Sequence, residues 1–301
     1  MSEQLPSWRP GRARDDVLRF LDAVRDVPMA ERFACFDNDG TLWCERPTYV
    51  QFDFFVDALR QAVAVDPEIG ARPEFEAVLR RDSAALASMG LERIAMALAG
   101  LFEGMTPDEF TLKAREFVER ARHVELDRAI GSLVYQPMLE LLEELRRLDF
   151  TVAIVTGGGT EFVRAVSEEL YGVPSELVVG SLIAYEFGRD DGGVPELRRT
   201  SRLMGVANEG AAKVENIQTQ LGRRPILAGG NSGGDREMLE WAVGGDKPGV
   251  AILIDHDDPE REYSYESRAQ TFEEDRPITE VARELGWTVV SMIGDWATVF
   301  K

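Results

Sequence analysis

A four-residue apolar run, Phe33-Ala34-Cys35-Phe36, breaks off into two acids, Asp37 and Asp39, and then into a Gly40-Thr41 turn. Runs of this kind read as strands buried on both faces of a parallel sheet, and ligands bind at the carboxyl edge of such sheets. The two carboxylates therefore leave the core together at an edge where chemistry is done. Held close, they repel unless a cation or a shared proton lies between them. A hard divalent ion such as Mg²⁺, bound by one or two carboxylates together with substrate phosphate oxygens, matches that arrangement. Two solvated acids in a turn is the reading for an isolated Asp-x-Asp pair, and the rest of the chain decides between the two.

Around that run, periods of 3.6 and 2 alternate. Helices are expected over 15–27, 137–148, 161–171 (stopped by Gly172), 211–221, 236–243 and 278–285, and strands at Phe33 and over 151–155, 226–228, 250–254 and 288–293. Residues 178–187 read as extended, with a turn over 188–193. Strands alternating with helices give an α/β fold, a doubly wound, Rossmann-like parallel sheet. Between Glu45 and Gly131 the pattern is helical with no strand, and Thr106-Pro107-Asp108-Glu109 is a strong helix start. Residues 1–45 and 132–301 are thus expected to form the α/β core, with 46–131 a helical cap inserted after the first strand. At 301 residues the length suits a core domain carrying such an insert.

A net charge of −20 argues against nucleic acid or an anionic membrane as partner, and an anionic substrate must be drawn in by local positive groups. No apolar run approaches the roughly 20 residues of a membrane span. Residues 1–14 are polar and lack the apolar core of a signal peptide. Cys35 and Cys44 read as reduced structural thiols, which points to the cytoplasm. His123 and His256 are too isolated for a histidine-based metal site, and residues 256–258, which follow the 250–254 strand and could lie near the same edge, read more simply as a solvated loop.

Three further segments sit at strand ends or helix starts. In Val155-Thr156-Gly157-Gly158-Gly159 successive amides can turn toward one point beside a helix N-terminus, a cradle for an oxyanion to which the Thr156 hydroxyl adds a donor. The bland alternative is a plain strand-to-helix turn. Lys213 begins a helix, where a solvated surface role is the ordinary expectation. Gly229-Gly230-Asn231-Ser232-Gly233-Gly234-Asp235 places oxygen ligands after a strand, and read alone it is also a good helix cap.

Taken in order, Asp37-Asn38-Asp39-Gly40-Thr41, Thr156-Gly157-Gly158, Lys213, and Gly230-Asn231-Ser232 with Asp235 resemble the haloacid dehalogenase superfamily of phosphohydrolases, in its phosphoserine phosphatase-like branch with a helical cap. The resemblance implies that Asp37 attacks phosphorus to form an aspartyl-phosphate. It implies that Asp39 protonates the leaving alcohol and then takes a proton from the hydrolytic water. It further implies that Thr156, Gly157, Gly158 and Lys213 hold the phosphoryl oxygens. Mg²⁺ is implied at the Asp37 carboxylate, the Asp39 carbonyl and Asn231, with Asp235 either orienting Lys213 or a metal-bound water, or binding the metal directly while Asn231 assists. The expected substrate is a small phosphorylated metabolite.

The departures are specific. Asn231 stands where most relatives have Asp, Gly40 where phosphoserine phosphatases have Ser, and Glu45 one residue before their substrate-binding Glu. Asp39 speaks against a dehalogenase, which needs no leaving-group acid there. Arg46, Tyr49 and Gln51 follow the first motif and are candidates to face the substrate, beneath a cap expected to open and close. A phosphomutase or phosphotransferase on the same parts, or a non-catalytic relative, are the rival readings.

Overall fold

The computed structural model describes residues 4–301 of the chain. Helix α1 (Arg12–Ala23) leads into strand β1 (Phe33–Phe36), whose four residues are all buried. Five helices follow without an intervening strand: α2 (Val50–Val65), α3 (Pro73–Arg80), α4 (Ser83–Met89), α5 (Leu91–Ala99) and α6 (Pro107–Arg120). The α/β alternation then resumes with α7 (Gln136–Arg147), β2 (Thr151–Gly159), α8 (Thr160–Tyr171) and β3 (Val178–Arg189). It continues through β4 (Pro195–Met204), α9 (Ala211–Leu221), β5 (Leu227–Gly230) and α10 (Arg236–Val243). β6 (Val250–Asp255), α11 (Ile278–Glu284), β7 (Thr288–Ser291) and α12 (Met292–Asp295) complete the chain.

The seven strands form one sheet in the order β4-β3-β2-β1-β5-β6-β7, parallel throughout except for the β3–β4 pair. β1 lies at its centre, and the chain builds outward first through β2 and β3, then on the other side through β5, β6 and β7. The carboxyl end of β1 is therefore the switch point where such sheets bind ligands. Because side chains alternate along a strand, Ala34 and Phe36 enter one apolar cluster with α1, α7 and α8, while Phe33 and Cys35 enter another with α9, α10 and α11. Helices cover both faces, as the doubly wound reading requires.

The parallel sheet carries one antiparallel edge strand: β4 returns against β3 after a turn in which Gly193 N donates to Asp190 O at 2.9 Å. Two expectations are corrected. The last strand stops at Ser291, not at 293, since the Ser291 hydroxyl caps a short helix through Gly294 N. Residues 256–258 do not form a solvated loop: His256 and Asp258 are buried.

Residues 46–131 hold their own apolar cluster, with Leu59, Phe75, Val78 and Leu98 fully enclosed. α6 starts with a complete capping box between Thr106 and Glu109. The insert is also tied to the β3–β4 hairpin, since Gly104 N donates to Arg199 O and Arg199 N to Met105 O, each at 2.8 Å. Among the described residues no single helix is long and apolar enough to cross a membrane.

Candidate active site

Four segments far apart in sequence meet at the carboxyl edge of β1, β2 and β5. Asp37 leaves β1 with its amide bonded to Gly229 O at 2.9 Å, which locks the first loop to the start of the β5 loop. Lys213 reaches in from the first turn of α9, 2% exposed. Its three donors are all used: Asp37 Oδ1 at 2.6 Å, Asp235 Oδ1 at 2.6 Å and Val155 O at 2.8 Å. The expectation of a solvated lysine is thus replaced by a buried one at the hub of the site. Burial alone would push its ammonium pKa down, but Asp235 and Asp37 outweigh burial and raise it.

Asp235 is saturated. While Oδ1 takes Lys213, Oδ2 accepts from Asn231 N and Ser232 N at 3.0 Å and from Ser232 Oγ at 3.2 Å. Direct metal binding by Asp235 would displace one of these donors. No hydrogen bond reaches Asp37 Oδ2 or the Asp39 carbonyl among the described residues, and both acids line the cavity. Asp39 Oδ1 accepts from Trp43 Nε1 at 2.9 Å. Burial raises the carboxyl pKa of both acids; Asp235 adds to the rise at Asp37 against the pull of Lys213, and the Trp43 bond opposes it at Asp39.

The glycine cradle is occupied differently from the sequence expectation. Gly158 N donates to Thr156 Oγ1 at 3.0 Å and Gly159 N to Gln51 Oε1 at 2.8 Å, so these two amides have protein acceptors. The approach is close: a Cβ at Gly158 would stand 2.8 Å from Gln51 Oε1 and 3.3 Å from Thr156 Oγ1, so a side chain there would displace the Gln51 amide. Gln51 is therefore a wall of the site. Tyr49 also lines the cavity, whereas Arg46 turns away to lie 4.1 Å over the Tyr265 ring.

Gly40 explains two of the departures noted above. It has φ +72°, a left-handed value natural for glycine, and a Cβ there would fall 2.0 Å from Asn231 Nδ2 and 2.9 Å from Glu45 Cδ. A serine cannot occupy that space. Asn231 Nδ2 in turn donates to Glu45 Oε1 at 3.3 Å and Ser267 Oγ at 3.1 Å, while its Oδ1 accepts from Thr41 Oγ1 at 3.3 Å. An amide suits position 231 because its neighbour Glu45 is a buried acceptor.

Behind this layer lies a buttress that sequence reasoning missed. His256 Nε2 bonds Gly40 O at 2.8 Å and Nδ1 faces Glu262 Oε2 at 3.3 Å, while Glu262 Oε1 accepts from the Tyr135 hydroxyl at 3.0 Å and Cys44 Sγ at 3.2 Å. Burial would raise the Glu262 carboxyl, but His256, Cys44 and the Tyr263 amide together outweigh burial and lower it.

The sequence signature of haloacid dehalogenase-like hydrolases matches residues 34–240, which contain Asp37, Asp39, Thr156, Lys213, Asn231 and Asp235. The chain belongs to that family. No curated protein matches it by sequence. Among solved structures, a protein of unknown function from Bordetella pertussis Tohama I is similar over 86% of this chain and 98% of its own, at 18% identity and a TM-score of 0.51. A conserved, functionally unknown protein from Anaerococcus prevotii DSM 20548 is similar over 80% and 85%, at 13% identity and a TM-score of 0.52. These likenesses concern the fold.

The donor set of this hydrolase fits a hard divalent cation. Asp37 and Asp235 share one ammonium whose donors are spent, and Asp39 and Glu45 line the same cavity as Asp37. Such an excess of buried negative charge calls for a cation or for protons. Among the described residues no three His, Cys, Asp or Glu side chains converge as a ligand set. Mg²⁺ does not need one, because it binds through one or two carboxylates with waters and substrate oxygens.

Proposed function

We propose that the chain is a Mg²⁺-dependent phosphomonoesterase working through an aspartyl-phosphate on Asp37. The observation that carries this reading is the Lys213 ammonium, 2.6 Å from both Asp37 Oδ1 and Asp235 Oδ1, which fixes the Asp37 carboxylate with Oδ2 left for the cavity. An aligned, desolvated carboxylate is poised for nucleophilic attack, and covalent catalysis divides one hard displacement into two easier ones.

In the first step Asp37 Oδ2 bonds to phosphorus while the bond to the ester oxygen breaks, and Asp39 delivers its proton to that oxygen. In the second, water attacks phosphorus and gives a proton to Asp39, the bond to Asp37 breaks, and inorganic phosphate leaves. Lys213 and the Thr156 hydroxyl offset the phosphoryl charge. Mg²⁺, held when bound by the Asp37 carboxylate, the Asp39 carbonyl and the Asn231 amide oxygen, would supply positive charge against the phosphoryl oxygens. Asp235 is assigned to holding Lys213 and the Asn231 amide in place. Residues 46–131 act as a cap over the site, consistent with the cavity walls that α2 and α5 supply.

The test is hydrolysis of p-nitrophenyl phosphate with and without Mg²⁺, on wild type and on Asp37→Asn. Metal-dependent release that drops to background in the variant is expected. Release that persists in Asp37→Asn, or none with any divalent metal, rejects the reading.

A further inference from the structure

The cavity in front of Asp37 has two chemically different parts. Its volume of about 840 Å³ lies toward the upper end of the range of about 300–1,000 Å³ for pockets that hold drug-sized ligands. Asp37, Asp39, Lys213 and Asn231 line the reacting part. Elsewhere the wall is Phe52 and Phe55 of α2, Ile94, Met96 and Leu98 of α5, and Ile183 of β3. α5 is strongly apolar: together with α4 it has the length and composition of a membrane span, bent by 94° at the break between them.

Several polar side chains beside that wall are already engaged. Gln51 Oε1 holds Gly159 N at 2.8 Å, and Glu209 Oε2 accepts from Thr271 N at 2.8 Å and Thr271 Oγ1 at 2.6 Å. Glu161 pairs with Arg164 at 3.1 Å and Arg268 with Glu266 at 2.8 Å. Arg199, 4% exposed, has its guanidinium carbon 3.9 Å over the Phe110 ring and Nη1 3.4 Å from the Tyr185 hydroxyl. Its Nε has no partner, so the guanidinium keeps donor capacity for a polar group at that one end of the cavity. A sugar or amino-acid body placed against the apolar wall would lose its hydrogen bonds to water without replacement. A hydrocarbon or aromatic body, by contrast, gains from every methylene removed from water.

We infer, on the phosphomonoesterase reading above, that the alcohol half of the substrate is a bulky apolar body, aliphatic or aromatic. The experiment measures kcat/KM with Mg²⁺ for ethyl, butyl, hexyl and octyl phosphate, and for O-phosphoserine and glucose 6-phosphate. Calorimetry of ethyl- and octylphosphonate binding to the full chain runs beside it. Expected is a rise of roughly two- to fourfold per methylene, with both polar esters at or below ethyl phosphate. Met96→Glu, and Leu91→Glu at a rim position already 55% exposed, are each expected to collapse the octyl-to-ethyl ratio. A flat or falling series, or a preference for either polar ester, overturns the inference, while hydrolysis of p-nitrophenyl phosphate then leaves the phosphatase reading standing. If no ester is cleaved, calorimetry decides. Octylphosphonate binding more tightly than ethylphosphonate supports an apolar-body site, and equal binding overturns it.

Discussion

Asn231→Asp introduces the acid that the family resemblance leads one to expect, and the geometry says it will harm this protein in the absence of metal. The amide nitrogen of Asn231 lies 3.3 Å from Glu45 Oε1. Two carboxylates at that separation repel by about 5 kcal/mol at an effective dielectric of about 20. The protein escapes by taking up a proton, which for an ordinary carboxyl at pH 7 costs about 3.7 kcal/mol. Burial already pushes the Glu45 carboxyl up, against the pull of His256, so the proton is gained for less than that. The expected destabilisation in EDTA at pH 7 is therefore about 2–3 kcal/mol. Its pH dependence has a definite sign. The variant pair binds more protons folded than unfolded, so stability relative to wild type falls as pH rises from 5 to 8 and recovers as it drops. Urea denaturation of Asn231→Asp, Glu45→Gln and the double variant across that range measures it. The double variant should recover most of the loss, because Gln removes the opposing charge. A single variant within 0.5 kcal/mol of wild type at every pH, or a double variant no better than the single, would refute the reasoning.

Other consequences are as direct. Lys213→Met leaves Asp37 and Asp235 buried without a counter-charge, and a loss of about 3–5 kcal/mol at neutral pH, shrinking toward pH 4, should appear in denaturant titrations. Cys35 and Cys44 are buried thiols that burial pushes further from ionisation; with Ellman's reagent neither should react on the time scale of an exposed thiol until the chain is unfolded. Thr106→Ala removes the capping box of α6 and should cost about 1 kcal/mol, read as faster amide exchange in α6 ahead of the sheet.

What the sequence disclosed of this site depended on how local the signal was. Strand ends and helix starts write themselves into neighbouring residues, and α9 and α10 run over the 211–221 and 236–243 segments their periodicity indicates. β4 left no such trace. As an edge strand it carries Arg198, Arg199 and Arg202 with Leu197 45% exposed, and its pairing is satisfied by β3 and by backbone groups of the insert. Lys213 was legible only through the order of motifs. Nothing near it in sequence announces that Asp37 and Asp235 will surround its ammonium, 176 and 22 residues away.

The buttress marks the limit more sharply. His256 reaches Gly40 O across 216 residues, and Ser267 reaches Asn231 across 36. Both come from the segment after β6, whose first residues, 256–258, read from sequence as a solvated loop. His256 and Ser267 are buried where the tight turn at Gly40 leaves a carbonyl that needs a donor away from water, and where an amide at 231 leaves a nitrogen that needs an acceptor. Glu45 and Ser267 provide the acceptors and His256 the donor. The same residues thus account for Gly40 and Asn231, which look like isolated departures from the family pattern when read along the chain. In three dimensions they are one substitution of chemistry: an acidic neighbour at 45 requires an amide at 231, and the amide requires a residue without Cβ at 40.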